Sequence, residues 1–202
     1  MPQAGRETPK AEEGADALAA LRAKIARLKA DLDTARRRIA DLEAREDVDP
    51  LLDILNRRGF ERELKRALAY IERYGTEAVL IYIDLDGFKK VNDRHGHAAG
   101  DDLLKTVAKA IVSHVRASDT VARLGGDEFA ALIWNAGTAP AAAKARELES
   151  LITATSIFHG ETLLSVGASA GIAPLRPEAS VADVIDAADR AMYARKKERR
   201  RA

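Results

Sequence analysis

The chain has 202 residues, 47% hydrophobic, 32% charged and 4% aromatic, with a net charge of +1 and no cysteine. That length suits one globular domain plus an appendage, and the lack of cysteine excludes disulfides, thiolate metal sites and a cysteine nucleophile. No apolar run reaches the roughly 20 residues of a membrane-spanning helix, and the first residues, Met1 to Glu7, carry no apolar signal-peptide core. A cytoplasmic protein with no membrane or nucleic-acid partner is therefore expected. Charge is uneven along the chain. Residues 190–201 hold seven basic side chains and one acid, which leaves the body acidic. An acidic body suits metal-binding carboxylates. The basic end suits phosphate contact, or simply a helix terminus whose cations complement the macrodipole.

Residues 1–14 are polar, with Pro2, Gly5, Pro9 and Gly14, and are expected to be disordered. Over residues 15–47 a heptad pattern follows: Leu18, Leu21, Ile25, Leu28, Leu32, Ala35, Ile39 and Leu42, spaced alternately by three and four. With Leu18 at position a, Ile25 and Ile39 fall at a, and Leu28 and Leu42 at d. That combination favours a parallel two-stranded coiled coil. Asp31 with Arg36 and Arg38 with Glu43 would attract across such a dimer; Lys24 with Lys29 would repel. The alternative is one helix packed on its own domain. The polar b, c and f positions favour the dimer.

A domain is expected over 48–202. Pro50 suits the first turn of a helix running to about Ile71, ended by Gly75. The following pattern predicts strand 78–84, helix 99–116, strands 120–124 and 128–134 joined by a hairpin, helix 139–153, strand 163–172 and helix 180–199. This alternation predicts an α/β (α+β) sandwich, a central mixed β-sheet flanked by helices, preceded by the long coiled-coil helix.

Two acidic strand ends carry the chemistry. The buried-strand run Ala78–Ile83 ends in Asp84-Leu85-Asp86-Gly87. Strand alternation is read as sending Asp86 to the other side from Asp84. Downstream, Arg123-Leu124-Gly125-Gly126-Asp127-Glu128-Phe129 puts two glycines before paired acids, as in a hairpin whose turn needs positive φ. Carboxylates on two neighbouring strand ends suit a hard cation such as Mg²⁺, whose shell is completed by substrate phosphates.

The string Gly-Gly-Asp-Glu-Phe resembles the signature of the GGDEF, or diguanylate cyclase, family. Asp84-Leu-Asp-Gly-Phe-Lys-Lys-Val-Asn92-Asp93, then Gly96-His97-Ala-Ala-Gly100-Asp101, resembles a second family pattern. Asp49-Pro50 … Leu55-Asn56-Arg57-Arg58 and Met192-Tyr193 … Lys196 … Arg200 resemble its opening and closing motifs. The resemblance covers residues 48–200. It implies the palm-like fold of nucleotidyl cyclases and condensation of two GTP into cyclic di-GMP and two pyrophosphates, at the interface of a homodimer. It implies Mg²⁺, with Mn²⁺ as a substitute, on Asp84, the Leu85 carbonyl and Asp127. It makes Asp127 the general base, with Glu128 and Lys89 assisting. GTP is expected on Asn92 and Asp101, which would read guanine, and on Phe88, Lys89, Lys196 and Arg200. Arg116-Ala-Ser-Asp119 stands at the offset of the family's inhibitory product site, and Arg123 could join it. The alternative is a domain without turnover that senses cyclic di-GMP or GTP. Two departures stand out: Arg199 replaces the family's usual glycine, and Leu51-Leu52-Asp53-Ile54 replaces its usual L-T-G-L.

Overall fold

The structure is a computed structural model that describes residues 22, 24–25, 27–29, 31–34 and 47–199. The chain divides into two units, Met1–Glu46 and Asp47–Ala202. In the first, every described residue is helical and exposed. Ile25, Leu28 and Leu32 are 45%, 58% and 49% exposed. The other heptad positions lie outside the described residues, as does the N-terminal segment expected to be disordered. No described helix is long and apolar enough to cross a membrane.

The second unit is built on a five-stranded mixed sheet of order β1-β3-β4-β2-β7. Its elements are β1 (Leu55–Asn56), α1 (Arg57–Tyr74), β2 (Ala78–Asp86), α2 (Phe88–Ser113), β3 (Thr120–Gly125), β4 (Glu128–Trp134), α3 (Thr138–Ala154), β5 (Ser156–His159), β6 (Thr162–Ser165), β7 (Gly167–Pro174) and α4 (Val181–Arg199). Central β2 lies antiparallel to both β4 and β7. Its alternate residues feed two cores. Ile81, Ile83 and Leu85 pack against α2 and α3, through Leu103, Leu104, Val107, Leu148 and Ile152. Leu80 and Tyr82 pack against α1 and α4, through Phe60, Leu64, Ala188 and Met192. The expected sandwich, a mixed sheet flanked by helices, is what the chain forms.

Three local expectations need correction. Pro50 does not open a helix. Asp49 Oδ1 accepts from the N–H groups of Leu51 and Leu52 at 3.0 Å each, which closes a turn there instead. The helix starts at Arg57, where the Asn56 side chain caps Gly59 N–H at 3.0 Å. In that turn Asp53 has φ 55°, so the left-handed conformation is kept where the family's usual glycine is absent. The helix predicted from 99 begins earlier: residues 88–98 also belong to α2, which breaks only at Gly96 (φ 82°, ψ 166°). The strand expected at 163–172 is two strands. β6 pairs with β5 as a separate hairpin turning at Gly160 (φ 61°), and β7 joins the main sheet.

Gly171 shows how tightly α4 is laid on the sheet. A Cβ there would overlap the Met192 amide nitrogen and the Ala188 carbonyl oxygen, both backbone atoms that cannot swing away. Gly171→Ala should therefore destabilise the domain by about 3 kcal/mol, at the upper end of ordinary overpacking. Thermal unfolding of the purified variant checks this.

Candidate active site

The first polar residue of β2's apolar run after Tyr82 is Asp84, and the sheet's period of two places Asp84 and Asp86 on the α1/α4 face, in line with Leu80 and Tyr82, while Leu85 between them stays in the other core. This corrects the expectation that Asp86 points away: residues two apart on a strand share a face. Lys196, from the last turns of α4, reaches both carboxylates. Its ammonium is hydrogen-bonded to Asp84 Oδ1 and lies 3.2 Å from Asp86 Oδ1. Ser169, on the neighbouring strand β7, donates to Asp86 Oδ2 at 2.7 Å. Burial, with the charges of Asp127 and Asp86, pushes the Asp84 carboxyl above its usual range against the downward pull of Lys196. Burial alone would lower the Lys196 ammonium, but Asp84 and Asp86 together hold it above its usual range.

The hairpin beside this strand end is fixed by its backbone carbonyls. Gly125 (φ 153°) and Gly126 (φ 49°) make the turn, with a register shift between Arg123 and Gly125. Leu124 O accepts from Arg57 Nε at 2.9 Å, Gly126 O from Arg123 Nε at 3.0 Å, and Asp127 O from Leu85 N–H at 3.1 Å. Glu128 lies opposite Asp84 in the β2–β4 register, and Arg57 stands 3.6 Å from Glu128 Oε2. Burial and the adjacent Glu128 carboxylate push the Tyr82 phenol well above its usual range.

This donor set fits a hard divalent cation. In a strand a residue's N–H and C=O leave on the same side, so the Leu85 carbonyl faces the hairpin as its N–H does. Asp84, Asp86 and Asp127 crowd negative charge that the single Lys196 ammonium only partly offsets. Among the described residues no three acidic or histidine side chains converge tightly enough to hold a metal alone. Mg²⁺ does not need that: one or two carboxylates and substrate phosphates complete its shell.

The remaining expected site residues fall in three places. Gly96 turns the second segment of α2 back, so that a Cβ on Gly100 would strike the Asn92 side chain. The Asn92 side chain thereby lies against Gly100, the residue before Asp101. Asn92 Oδ1 is buried without a hydrogen-bond partner among the described residues. Lys89 is exposed in the first turn of α2, whereas the Phe88 ring is buried in the α2/α3 core and offers a ligand only its backbone. A cleft of about 420 Å³ opens next to Asp86 and Gly87, bordered by Lys90, Arg94 and His95. Arg200 lies outside the described residues.

At the far end of β3, Asp119 uses both oxygens on backbone: Oδ2 accepts from Arg116 N–H at 2.9 Å and Oδ1 from Trp134 N–H at 3.0 Å. Arg116 itself is exposed. The structure does not bring Arg123 to this pair. Its guanidinium turns to the hairpin and to Asp49 Oδ2, 3.2 Å away, and so ties the turn after the N-terminal unit to Gly126.

Residues 46–202 match the family described as diguanylate cyclase, GGDEF domain. The chain belongs to this family. It is 36% identical over 167 residues to the probable diguanylate cyclase DgcE of Escherichia coli, a match covering 82% of this chain and 15% of that protein. It is 40% identical over 158 residues to the diguanylate cyclase TpbB of Pseudomonas aeruginosa, covering 75% of this chain and 35% of that protein. The chain thus spans about a third or less of these curated relatives. The crystal structure of the coiled coil and GGDEF domain of DgcB from Caulobacter crescentus in complex with c-di-GMP superposes with a TM-score of 0.74 at 29% identity, covering 89% of this chain and 95% of that one.

Sequence reasoning about this GGDEF domain missed Arg57, Tyr82 and Ser169. Arg57 reaches the hairpin across 67 positions in the chain, and no local pattern announces such a contact. Asp86 was recoverable, because a D-x-D pair at a strand end carries its own period.

Proposed function

We propose that this GGDEF domain condenses two GTP molecules into cyclic di-GMP with release of two pyrophosphates. The observation that carries the reading is the set of Asp84, Asp86 and Asp127 around the end of β2, with the Lys196 ammonium among them. Mg²⁺ or Mn²⁺, bound by Asp84, the Leu85 carbonyl and Asp127, would polarise the α-phosphate and neutralise charge on the triphosphate. The chain's own groups do the rest. Asp127 takes the proton of the attacking 3′-hydroxyl as general base, and Glu128, held by Arg57, supports it. The new bond joins that 3′-oxygen to the α-phosphorus while the bond to pyrophosphate breaks. Lys89, Lys196, Arg200 and the backbone N–H groups opening α2 meet the phosphates.

Guanine is read by Asn92 and Asp101. The orphaned Asn92 Oδ1 needs a donor, and guanine's N–H groups supply one. Asn92→Ala should raise the KM for GTP about tenfold and erode the preference over ATP, since base donors would be left unmet. Competition between GTP and ATP in steady-state rates measures this.

One domain holds one GTP, so a symmetric cyclic product requires two domains facing each other. The exposed Ile25, Leu28 and Leu32 support a homodimer through a parallel coiled coil over residues 15–47, as does the likeness to a protein solved with its coiled coil. Arg116 and Asp119 are proposed to bind the product as an inhibitor. A guanidinium grips phosphate or guanine in two places, and c-di-GMP is bound in the DgcB structure.

The test is incubation of the pure protein with GTP and Mg²⁺. The reading predicts one cyclic di-GMP and two pyrophosphates per two GTP consumed. Tight c-di-GMP binding with no turnover would make the domain a sensor instead.

A further inference from the structure

β7 is an edge strand, so the backbone groups on its outer side need partners outside the sheet. Glu149 of α3 and Arg199 of α4 supply them. Ala170 N–H donates to Glu149 Oε1 at 2.9 Å, and Glu149, in α3 and only 6% exposed, receives Arg195 on both oxygens: Nε on Oε1 at 2.8 Å and a terminal nitrogen on Oε2 at 2.9 Å. Arg199, one turn further along, donates to the Ala168 carbonyl. The last turn of α4 is therefore pinned to the sheet edge at two points. Lys196 follows Arg195 directly. Consecutive helix residues point about 100° apart, so while Arg195 grips Glu149, which itself holds Ala170 N–H at the edge of β7, Lys196 is aimed at the end of β2.

We propose that Glu149 is a positioning residue for the active site: by holding Arg195 against β7 it sets the Lys196 ammonium on Asp84 and Asp86, where that ammonium competes with the divalent cation. This rests on the reading that Asp84 binds the metal. The carboxylates cannot be fully committed both to Lys196 and to a divalent ion. The tighter the clamp holds Lys196 in place, the more it costs a cation to enter, and the better placed Lys196 is for the triphosphate that follows. An Arg–carboxylate fork is suited to the task, because its geometry is rigid and its charges are buried on one side.

The competition gives a signature that structural damage does not. Mn²⁺ binding to the pure protein without nucleotide should be measured by calorimetry for the parent, K196M, E149Q, R195Q and R195K. K196M should bind Mn²⁺ about tenfold more tightly, because the competing cation is gone. E149Q and R195Q should move the same way by several fold, with R195K between them and the parent. The KM for GTP should rise in both E149Q and R195Q. General loosening of the site would weaken Mn²⁺ binding, so weakened binding in E149Q or R195Q overturns the proposal. So does parental affinity in R195Q, whose half-exposed side chain makes it the variant to rely on if E149Q does not fold. Unchanged affinity in K196M would show that Lys196 does not compete, and overturns it too. D84A separates this from failure of the metal assignment itself: parental Mn²⁺ affinity in D84A would mean the cation binds elsewhere.

Discussion

Asp127→Ala and Asp84→Asn should each lower the rate of cyclic di-GMP formation by at least about a thousandfold, the scale of losing a charge-stabilising or metal-holding group at a phosphoryl-transfer site. The fold should survive both. Asp127 is in a turn whose own carbonyl, not its side chain, is bonded to Leu85. Asp84→Asn has a sharper expectation. Burial raises the Asp84 carboxyl above its ordinary value of 3.8, so the protein holds the ionised form less willingly than the unfolded chain does. Above that range the ionised Asp84 therefore opposes folding, and the neutral amide removes the opposition. The variant should melt no lower than the parent at neutral pH, and any advantage should fade as the pH falls through the raised value of the folded state and be gone below 3.8, where Asp84 is neutral in both states. Lys196 keeps a partner in Asp86. Calorimetric melting against pH, together with product formation by chromatography, checks both halves. Lost stability alongside lost turnover would make Asp84 a structural residue.

The second large effect is expected at the heptads. Ile25→Asp with Leu32→Asp puts unpaired charge into the seam of the proposed two-stranded coil, where it would not be solvated. The variant should sediment as a monomer. Its specific activity at nanomolar protein should fall by at least about a hundredfold, because tethering raises the effective concentration of the second domain into the millimolar range. Raising the protein concentration should restore part of the rate. In the proposed reaction each 3′-hydroxyl attacks the GTP held by the other domain, and orientation of the two is a large share of the barrier. Monomers with undiminished specific activity across the concentration series would break the link between seam and chemistry.

How much of this was legible in the sequence depends on how far apart the interacting residues lie. The run Ala78–Ile83 announces a buried strand because nothing polar interrupts it, and Gly125-Gly126 announces the hairpin because the turn needs positive φ at both positions. The carboxylates proposed for catalysis sit next to those signals and are legible with them. The start of α1 was misplaced because Pro50 and Asn56 both fit a helix start, and only the Asp49 turn decides between them. The β5–β6 hairpin was missed because the run from Thr162 to Ile172 reads as one strand until Gly167 changes sheet. The Glu149–Arg195 fork, 46 residues apart in the chain, and the Arg123–Asp49 pair, 74 apart, have no local pattern at all. Only the tertiary fold makes them neighbours.

The central claim is that the end of β2 and the adjoining hairpin hold a divalent cation on the triphosphate of GTP. It is tested most directly by anomalous diffraction from crystals grown with Mn²⁺ and a GTP analogue blocked at the α,β-bridge. The account predicts a Mn²⁺ peak within coordination distance of Asp84, the Leu85 carbonyl and Asp127, with the guanine edge at Asn92 and Asp101 and Lys196 turned toward phosphate. A peak held by other residues, or a nucleotide bound without metal away from Asp84 and Asp127, would contradict it.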